Sequence, residues 1–149
     1  FNLVNNISDI NPKRVNLLNI WRDSINIELG IASDEIGKCA IESVDAACQA
    51  LLNGDIHALV TAPLNKNTIK LEDQAFSGHT EYIAHRTGGT PIMMLHSKKL
   101  RIALLTTHIP LSKVTKSINK KRIETYIKII SKDLNNKFGS GQISFHISI

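Results

Sequence analysis

Two segments of this sequence place polar side chains shortly before a proline. They are "LVTAPLNK" at residues 59–66 and "LLTTHIPL" at residues 104–111, and both run from an apolar stretch through threonine to proline and leucine. Proline lacks a backbone N–H and has a restricted φ, so it ends a strand abruptly and holds the preceding polar residues at the strand end. In open α/β sheets, ligands bind beyond the carboxyl ends of the strands. Both segments therefore predict binding residues, with His108 and Lys66 as the candidates.

His108 is the best candidate metal ligand among the six histidines, because a strand end fixes it on a rigid frame. A neutral imidazole binds zinc and similar divalent ions well. The alternative, which this histidine taken alone favours, is a buried imidazole hydrogen-bonded to the backbone. Lys66 has two interpretations of equal weight, a phosphate contact and a surface lysine.

The stretch "SGHTEYIAHRTGG", residues 77–89, places a histidine where a helix should begin. Ser77 or Thr80 is predicted to cap this helix, because both side chains can accept a hydrogen bond from a backbone N–H of the first turn. The helix is predicted to continue through Arg86 and to end before the two glycines.

The start of that helix is a candidate anion site. The first turn of a helix has free backbone N–H groups and a partial positive charge, so phosphate or carboxylate binds there readily. Gly78 allows a ligand to approach the backbone closely, and His79 and Thr80 supply further donors. A plain helix cap without a ligand is the alternative, and local physics alone favours it.

Helices are needed to position these segments. The clearest is "ASDEIGKCAIESVDAACQALLNGD", which is capped by Ser33 or Asp34 and stopped by Gly54. Steps of three and four predict that its buried face is formed by Ile36, Ala40, Val44, Ala47 and Leu51. Near the other end of the chain, Ser112 is predicted to cap a short helix and Asn119 a longer one that stops at Gly139. The predicted core stripe of the longer helix is Ile123, Ile127, Ile130 and Leu134.

Short apolar runs predict the strands that alternate with these helices. A buried strand is predicted at Ile56–Ala62, a hairpin is predicted from Pro91–Ser97 and Leu100–His108, and "QISFHISI" is predicted to form a last strand. One turn of helix is predicted in "PLNKNTIKLEDQAF". Alternating helices and strands indicate an α/β fold with a mixed, partly parallel sheet.

Composition and motif content exclude several function classes. No apolar run approaches the length of about 18–20 residues that a membrane span needs, and the sequence has no GxGxxG, Walker, CxxC, HExxH or GxSxG motif. The net charge of +5 comes partly from residues 117–137, where the cations are interspersed with acids and no stacking aromatic residues interleave with them. That pattern favours a solvated helix face over a nucleic-acid site.

The two cysteines indicate a reducing compartment. Cys39 and Cys48 lie nine residues apart on opposite faces of one predicted helix, about 13 Å from each other, which is too far for a disulfide. Both are predicted to be small buried hydrophobic residues. Two cysteines that form no disulfide are typical of a cytoplasmic protein.

Taken together, "ALVTAPLNK", "FSGHTEYIA" and "RIALLTTHIPL" resemble the 4-hydroxythreonine-4-phosphate dehydrogenase family of the pyridoxal phosphate pathway. The resemblance extends from about Ile31 to Gly139. It implies an isocitrate/isopropylmalate dehydrogenase-like α/β/α sandwich, without the usual dinucleotide fingerprint, in a homodimer whose active site lies between subunits. It also implies that His79 and Thr80 bind substrate and that His108 is the first of three metal-binding histidines.

The activity implied by the resemblance is oxidation of the 3-hydroxyl of 4-phosphooxy-L-threonine by NAD or NADP, followed by decarboxylation. A divalent metal, zinc, magnesium or cobalt, would assist both steps. Relatives acting on phospho-threonate or phospho-erythronate are an alternative that His79 and Thr80 do not distinguish. A basic binding domain without catalysis is a further alternative.

The sequence also departs from that family. Its members are longer, and their Gly-Pro-rich N-terminal segment and the second and third metal-binding histidines have no counterpart here. His146 lies inside the predicted last strand, so it is not counted as a ligand. We therefore expect residues 1–149 to be the central segment of a larger dehydrogenase, and to be inactive alone because a catalytic zinc takes three protein ligands.

Overall fold

The computed structural model describes residues 1–21, 24–71, 76–139 and 143–147, except for the side chains of residues 137 and 138. The chain forms two compact units, Phe1–Pro91 and Ile92–Ile149, and each is described here by itself. The first unit contains β1 (Asn2–Val4), β2 (Asn16–Leu18), α1 (Asp34–Asn53) and α2 (His79–Thr87). The second contains β3 (Met94–His96), β4 (Arg101–Ala103), α3 (Leu111–Ser117) and α4 (Lys120–Phe138).

Helix α1 begins and ends where the sequence predicts. The Ser33 side chain accepts a hydrogen bond from the Ile36 N–H at 3.2 Å, which satisfies one free donor of the first turn. At the other end, Gly54 adopts the left-handed conformation with φ of 78°, which glycine reaches without a steric penalty. The capping signals in the sequence are therefore sufficient to place this helix.

The buried face of α1 differs from the predicted one. Of the five residues predicted to be buried, Val44 is buried and the other four are half-buried. The buried stripe is instead formed by Gly37, Ile41, Val44 and Cys48. The physical reason is a close backbone approach: the short 3₁₀ helix Lys66–Thr68 packs directly on Gly37, and that contact rotates the inward face away from the one that hydrophobicity alone selects.

The core of the first unit joins α1 to α2. Its buried members are Ile41, Val44, Cys48, Ile69, Phe76 and Tyr82, and the half-buried Leu64, Leu71 and Ile83 pack against them. Both cysteines are free, Cys48 buried and Cys39 half-buried. Burial raises the pKa of the Cys48 thiol, which keeps this side chain a protonated, apolar part of the core.

The strand predicted at Ile56–Ala62 is wrong. The structure assigns no strand to these residues, and the Val60 side chain is 94% exposed. An apolar run forms a buried strand only where neighbouring strands and a covering layer are available, and neither accompanies this segment in the described part of the unit. A parallel pair that the sequence did not predict lies elsewhere: β1 pairs with β2, with Leu3 opposite Leu17.

The second unit contains the predicted hairpin in shortened form. Strands β3 and β4 pair antiparallel, with Leu95 opposite Ile102. The Ser97 N–H donates to the Leu100 carbonyl at 2.8 Å, which closes the lysine-bearing turn between them. The α/β character of the chain is confirmed, whereas the described strands form two separate two-stranded sheets, one parallel and one antiparallel, in place of the predicted mixed sheet. The α/β/α sandwich stays a prediction.

The two helices of the second unit confirm one predicted cap and correct another. The Asn119 side chain accepts from the Arg122 N–H at 2.9 Å, and Gly139 ends α4 in the left-handed conformation. Of the predicted stripe, Ile130 and Leu134 are buried and the other two members are half-buried. The short helix begins at Leu111 after Pro110, so Ser112 lies inside α3 and does not cap it.

The predicted last strand is not formed by residues 143–147, and the rest of "QISFHISI" lies outside the described residues.

No described helix is long and apolar enough to cross a membrane.

Candidate functional site

Helix α2 starts with an open backbone. Gly78 is its N-cap, with φ of 146°, and no side chain caps the first turn. The prediction that Ser77 or Thr80 caps this helix is therefore wrong: Ser77 lies before the cap and Thr80 is the second residue of the helix. Because Gly78 has no side chain, no side-chain acceptor among the described residues caps the first-turn N–H groups. Uncapped N–H groups at a helix start are a suitable site for an anion.

Lys66 lies beside this helix start. Its Nζ donates a hydrogen bond to the Ser77 carbonyl at 2.9 Å. The same ammonium lies 3.2 Å from the position that a Cβ on Gly78 would occupy. The structure thus brings the "LVTAPLNK" and "SGHTE" segments together and places an exposed positive charge next to the uncapped turn. Of the two interpretations of Lys66, this position favours a role at the site.

Glu81 also lies close to Gly78. Its Oε2 is 3.3 Å from the same Cβ position. A glutamate at the third helical position often accepts from the N-cap N–H, but no such bond forms here, and Glu81 has no hydrogen-bond or ion-pair partner in the described ranges. The sequence signal for this residue is its spacing of three from the N-cap.

His79 has a buried ring nitrogen without a partner. Its Nε2 is inaccessible to solvent and has no hydrogen-bond partner in the part of the chain that the structure describes. The ring packs edge-on against Phe76, with the ring centroids 6.1 Å apart. A buried polar atom without a partner costs about 1–3 kcal/mol, so a hydrogen bond from a ligand would recover that free energy. Thr80 is exposed and open to contact.

A polar network fastens α2 to α1 beneath this site. The Tyr82 hydroxyl donates to Asp45 Oδ1 at 2.7 Å, and Arg86 Nε pairs with the same oxygen at 2.8 Å. Burial, followed by the hydrogen bond to Asp45 and its charge, raises the pKa of Tyr82 to about 12. Sequence analysis did not identify this network, because Asp45 and Tyr82 lie on different helices.

This network predicts a loss of stability at high pH. The folded state holds the Tyr82 proton up to about pH 12, whereas the unfolded state loses it near pH 10. The contribution of the protonated Tyr82 hydroxyl to the free energy of unfolding is therefore complete below pH 10, and it decreases as the pH rises from 10 to about 12. Tyr82→Phe is expected to show a smaller decrease in denaturation midpoint over this range, while Tyr126→Phe keeps the wild-type decrease. Equal pH dependence of the wild type and Tyr82→Phe would contradict the assignment.

His108 does not lie at the end of a strand. Strand β4 ends at Ala103, and His108 follows in an exposed loop with φ of 55°. The shorter strand is the physical reason for the difference: pairing continues only to Leu104, whose N–H donates to the Met93 carbonyl at 2.9 Å, and residues 105–107 form no strand. A left-handed conformation is uncommon for a residue with a side chain, although histidine adopts it more often than most. The exposed imidazole is available to a ligand.

The described residues do not assemble a metal site by themselves. No group of three or more histidine, cysteine, aspartate or glutamate side chains lies within metal-binding distance among the described residues. His79 and Thr80 lie in the first unit and His108 lies in the second. The two units therefore contain separate candidates: an uncapped helix start in the first and a single exposed imidazole in the second.

Comparison with known proteins gives one consistent result. A family model described as "Pyridoxal phosphate biosynthetic protein PdxA" matches residues 1–147. The 4-hydroxythreonine-4-phosphate dehydrogenase of Bacteroides thetaiotaomicron is 36% identical over 143 residues, covering 95% of this chain and 39% of that protein. The enzyme of the same name from Methylococcus capsulatus is 42% identical over 99 residues, covering 66% of this chain and 30% of that protein.

A solved structure is similar as well. The crystal structure of a 4-hydroxythreonine-4-phosphate dehydrogenase from Burkholderia phymatum matches with a TM-score of 0.77 and 25% identity. The match covers 89% of this chain and 42% of that one. The chain thus spans about two fifths of the length of several relatives it matches.

Proposed function

Because this chain belongs to the family of the pyridoxal phosphate biosynthetic protein PdxA, we propose that it is a segment of a 4-hydroxythreonine-4-phosphate dehydrogenase. The substrate in this proposal is 4-phosphooxy-L-threonine, and the product serves pyridoxal 5'-phosphate biosynthesis. The names of the curated relatives support the activity.

The observation that carries the proposal is the open start of α2. Phosphate and carboxylate are the groups that an uncapped helix start binds best, and Lys66 adds a positive charge beside it. The proposed substrate has both groups. In this arrangement the exposed Thr80 contacts the substrate, and the His79 ring turns so that its buried, unpaired Nε2 gains a hydrogen-bond partner.

The proposed reaction also needs groups that this chain does not complete. NAD or NADP would accept the hydride from C3 of the substrate, and a divalent metal, zinc, magnesium or cobalt, would lower the pKa of the 3-hydroxyl. His108 would supply one imidazole ligand. Since the described residues contain no group of three metal-ligating side chains, they do not fit a resident catalytic metal by themselves. The remaining ligands would come from elsewhere in the complete enzyme.

The complete enzyme is proposed to be a cytoplasmic homodimer. A related dehydrogenase of phospho-threonate or phospho-erythronate uses the same kind of anion site, so substrate choice has to be measured. Both acids lack the amino group of 4-phosphooxy-L-threonine, which makes the three compounds a discriminating panel.

A chimera tests the proposed function. This chain replaces the matched segment of the Bacteroides thetaiotaomicron relative, and NADH or NADPH formation is measured with each of the three substrates. We expect turnover by the chimera with 4-phosphooxy-L-threonine and none by the isolated 149-residue chain. A chimera without turnover, or one that prefers a substrate without an amino group, would contradict the proposed substrate. Turnover by the isolated chain would show that the segment needs no further ligands.

A further inference from the structure

The backbone that carries Lys66 is held firmly in the first unit. In the 3₁₀ helix Lys66–Thr68, the Asn67 N–H donates to the Asn65 side chain at 3.1 Å. The Thr68 hydroxyl donates to the Asn65 carbonyl at 2.9 Å, and Thr68 is buried against Gly37 of α1. The base of the Lys66 side chain therefore has a fixed position relative to α1.

The tip of the Lys66 side chain holds the peptide that leads into α2. Its ammonium donates to the Ser77 carbonyl at 2.9 Å. The Ser77 carbonyl and the Gly78 N–H belong to one planar peptide unit, so a bond that holds the carbonyl also orients the N–H. Gly78 has broad conformational freedom and α2 has no side-chain cap, so neither fixes this peptide. The hydrogen bond from Lys66 to the Ser77 carbonyl fixes this peptide.

We propose that Lys66 is a positioning residue for the anion site. By holding the Ser77 carbonyl, Lys66 orients the Gly78 N–H, which lies at the start of α2 directly before His79 and Thr80. It thereby sets the affinity of the site for a phosphate group, acting through the backbone. The assumption that the bound phosphate belongs to 4-phosphooxy-L-threonine rests on the proposed function. The role of Lys66 in orienting the helix start does not depend on that function.

Two substitutions and one control separate this role from a general effect of charge. Lys66→Met removes the donor, and Lys66→Arg keeps a donor that can reach a carbonyl. Lys70→Met is the control, because Lys70 is an exposed lysine of the same unit that pairs with Asp34 rather than with the start of α2. Both methionine variants lose one positive charge, so they differ in the contact to Ser77.

The experiment uses the isotopically labelled 149-residue chain. NMR gives the amide resonances of Gly78, His79 and Thr80, and titration gives the Kd for inorganic phosphate and for 4-phosphooxy-L-threonine at low and high ionic strength. We expect Lys66→Met to move these resonances and to weaken binding about tenfold at both ionic strengths, as for the loss of one charged hydrogen bond. Lys66→Arg restores both properties, and Lys70→Met changes neither.

Three results overturn the proposal. Unchanged resonances in Lys66→Met do so whether or not a ligand binds. A loss of affinity that disappears at high ionic strength shows that the ammonium acts as a charge on the ligand, because screening weakens exposed charge interactions. An equal loss of phosphate affinity in Lys70→Met also overturns the proposal, because that variant keeps the contact between Lys66 and Ser77. If the wild type binds neither ligand, the proposed function fails, and the resonances alone then decide the positioning role.

Discussion

Gly37→Ala is expected to destabilise the first unit by more than about 3 kcal/mol, at the upper end of overpacking effects. A Cβ on Gly37 would lie 1.9 Å from the Thr68 carbonyl oxygen and 2.5 Å from its carbon. These are backbone atoms, so the clash cannot be relieved by a change of rotamer. The 3₁₀ helix Lys66–Thr68 would have to separate from α1. Denaturant unfolding followed by circular dichroism measures the loss.

Gly89→Ala is the matched control for this substitution. Its Cβ would meet nothing closer than the Thr87 hydroxyl at 3.6 Å, so a change within about 0.5 kcal/mol is expected. If Gly37→Ala and Gly89→Ala unfold at the same denaturant concentration, the close approach of α1 and Thr68 is wrong.

Phe76→Ala is expected to cost about 3–5 kcal/mol, the usual range for removing a buried aromatic side chain. Phe76 is 9% exposed, and its ring lies 5.6 Å from that of Tyr82 and 6.1 Å from that of His79. The substitution leaves a cavity between the core and the start of α2. It therefore also removes the packing that holds the His79 ring.

Phe1→Ala is the control, because the Phe1 side chain is 87% exposed. It removes the same number of atoms, and an effect within about 0.5 kcal/mol is expected. Thermal or denaturant unfolding of both variants gives the comparison. Equal destabilisation by the two substitutions would place Phe76 outside the core.

The sequence predicts those features of the fold that depend on local chemistry. Ser33, Asn119 and the glycines that end α1 and α4 act within one turn of their own position, so their effect is visible in the sequence. The hairpin turn between β3 and β4 is local as well. The family resemblance depends on short motifs and is confirmed by the family match.

Features that depend on distant neighbours were not predictable in the same way. The inward face of α1 is set by Thr68, which lies far along the chain from Gly37. Burial of Ile56–Ala62 required partner strands that hydrophobicity cannot show. At the candidate site, the residue types at His79, Thr80 and Lys66 left an anion site as one of two interpretations, whereas the bond from Lys66 to Ser77 and the position of Glu81 required coordinates.

The role of the α2 start can be tested with two histidines on the same helix. His79 lies in the first turn with its Nε2 buried, and His85 lies in the last turn, exposed to solvent. Both are replaced by alanine in the chimera, and kcat/KM for 4-phosphooxy-L-threonine is measured. The account predicts that His79→Ala lowers kcat/KM at least about tenfold, as for the loss of a hydrogen bond to a charged group, and that His85→Ala leaves it unchanged. Equal kcat/KM for the two variants would contradict the assignment of the α2 start as the phospho-substrate site.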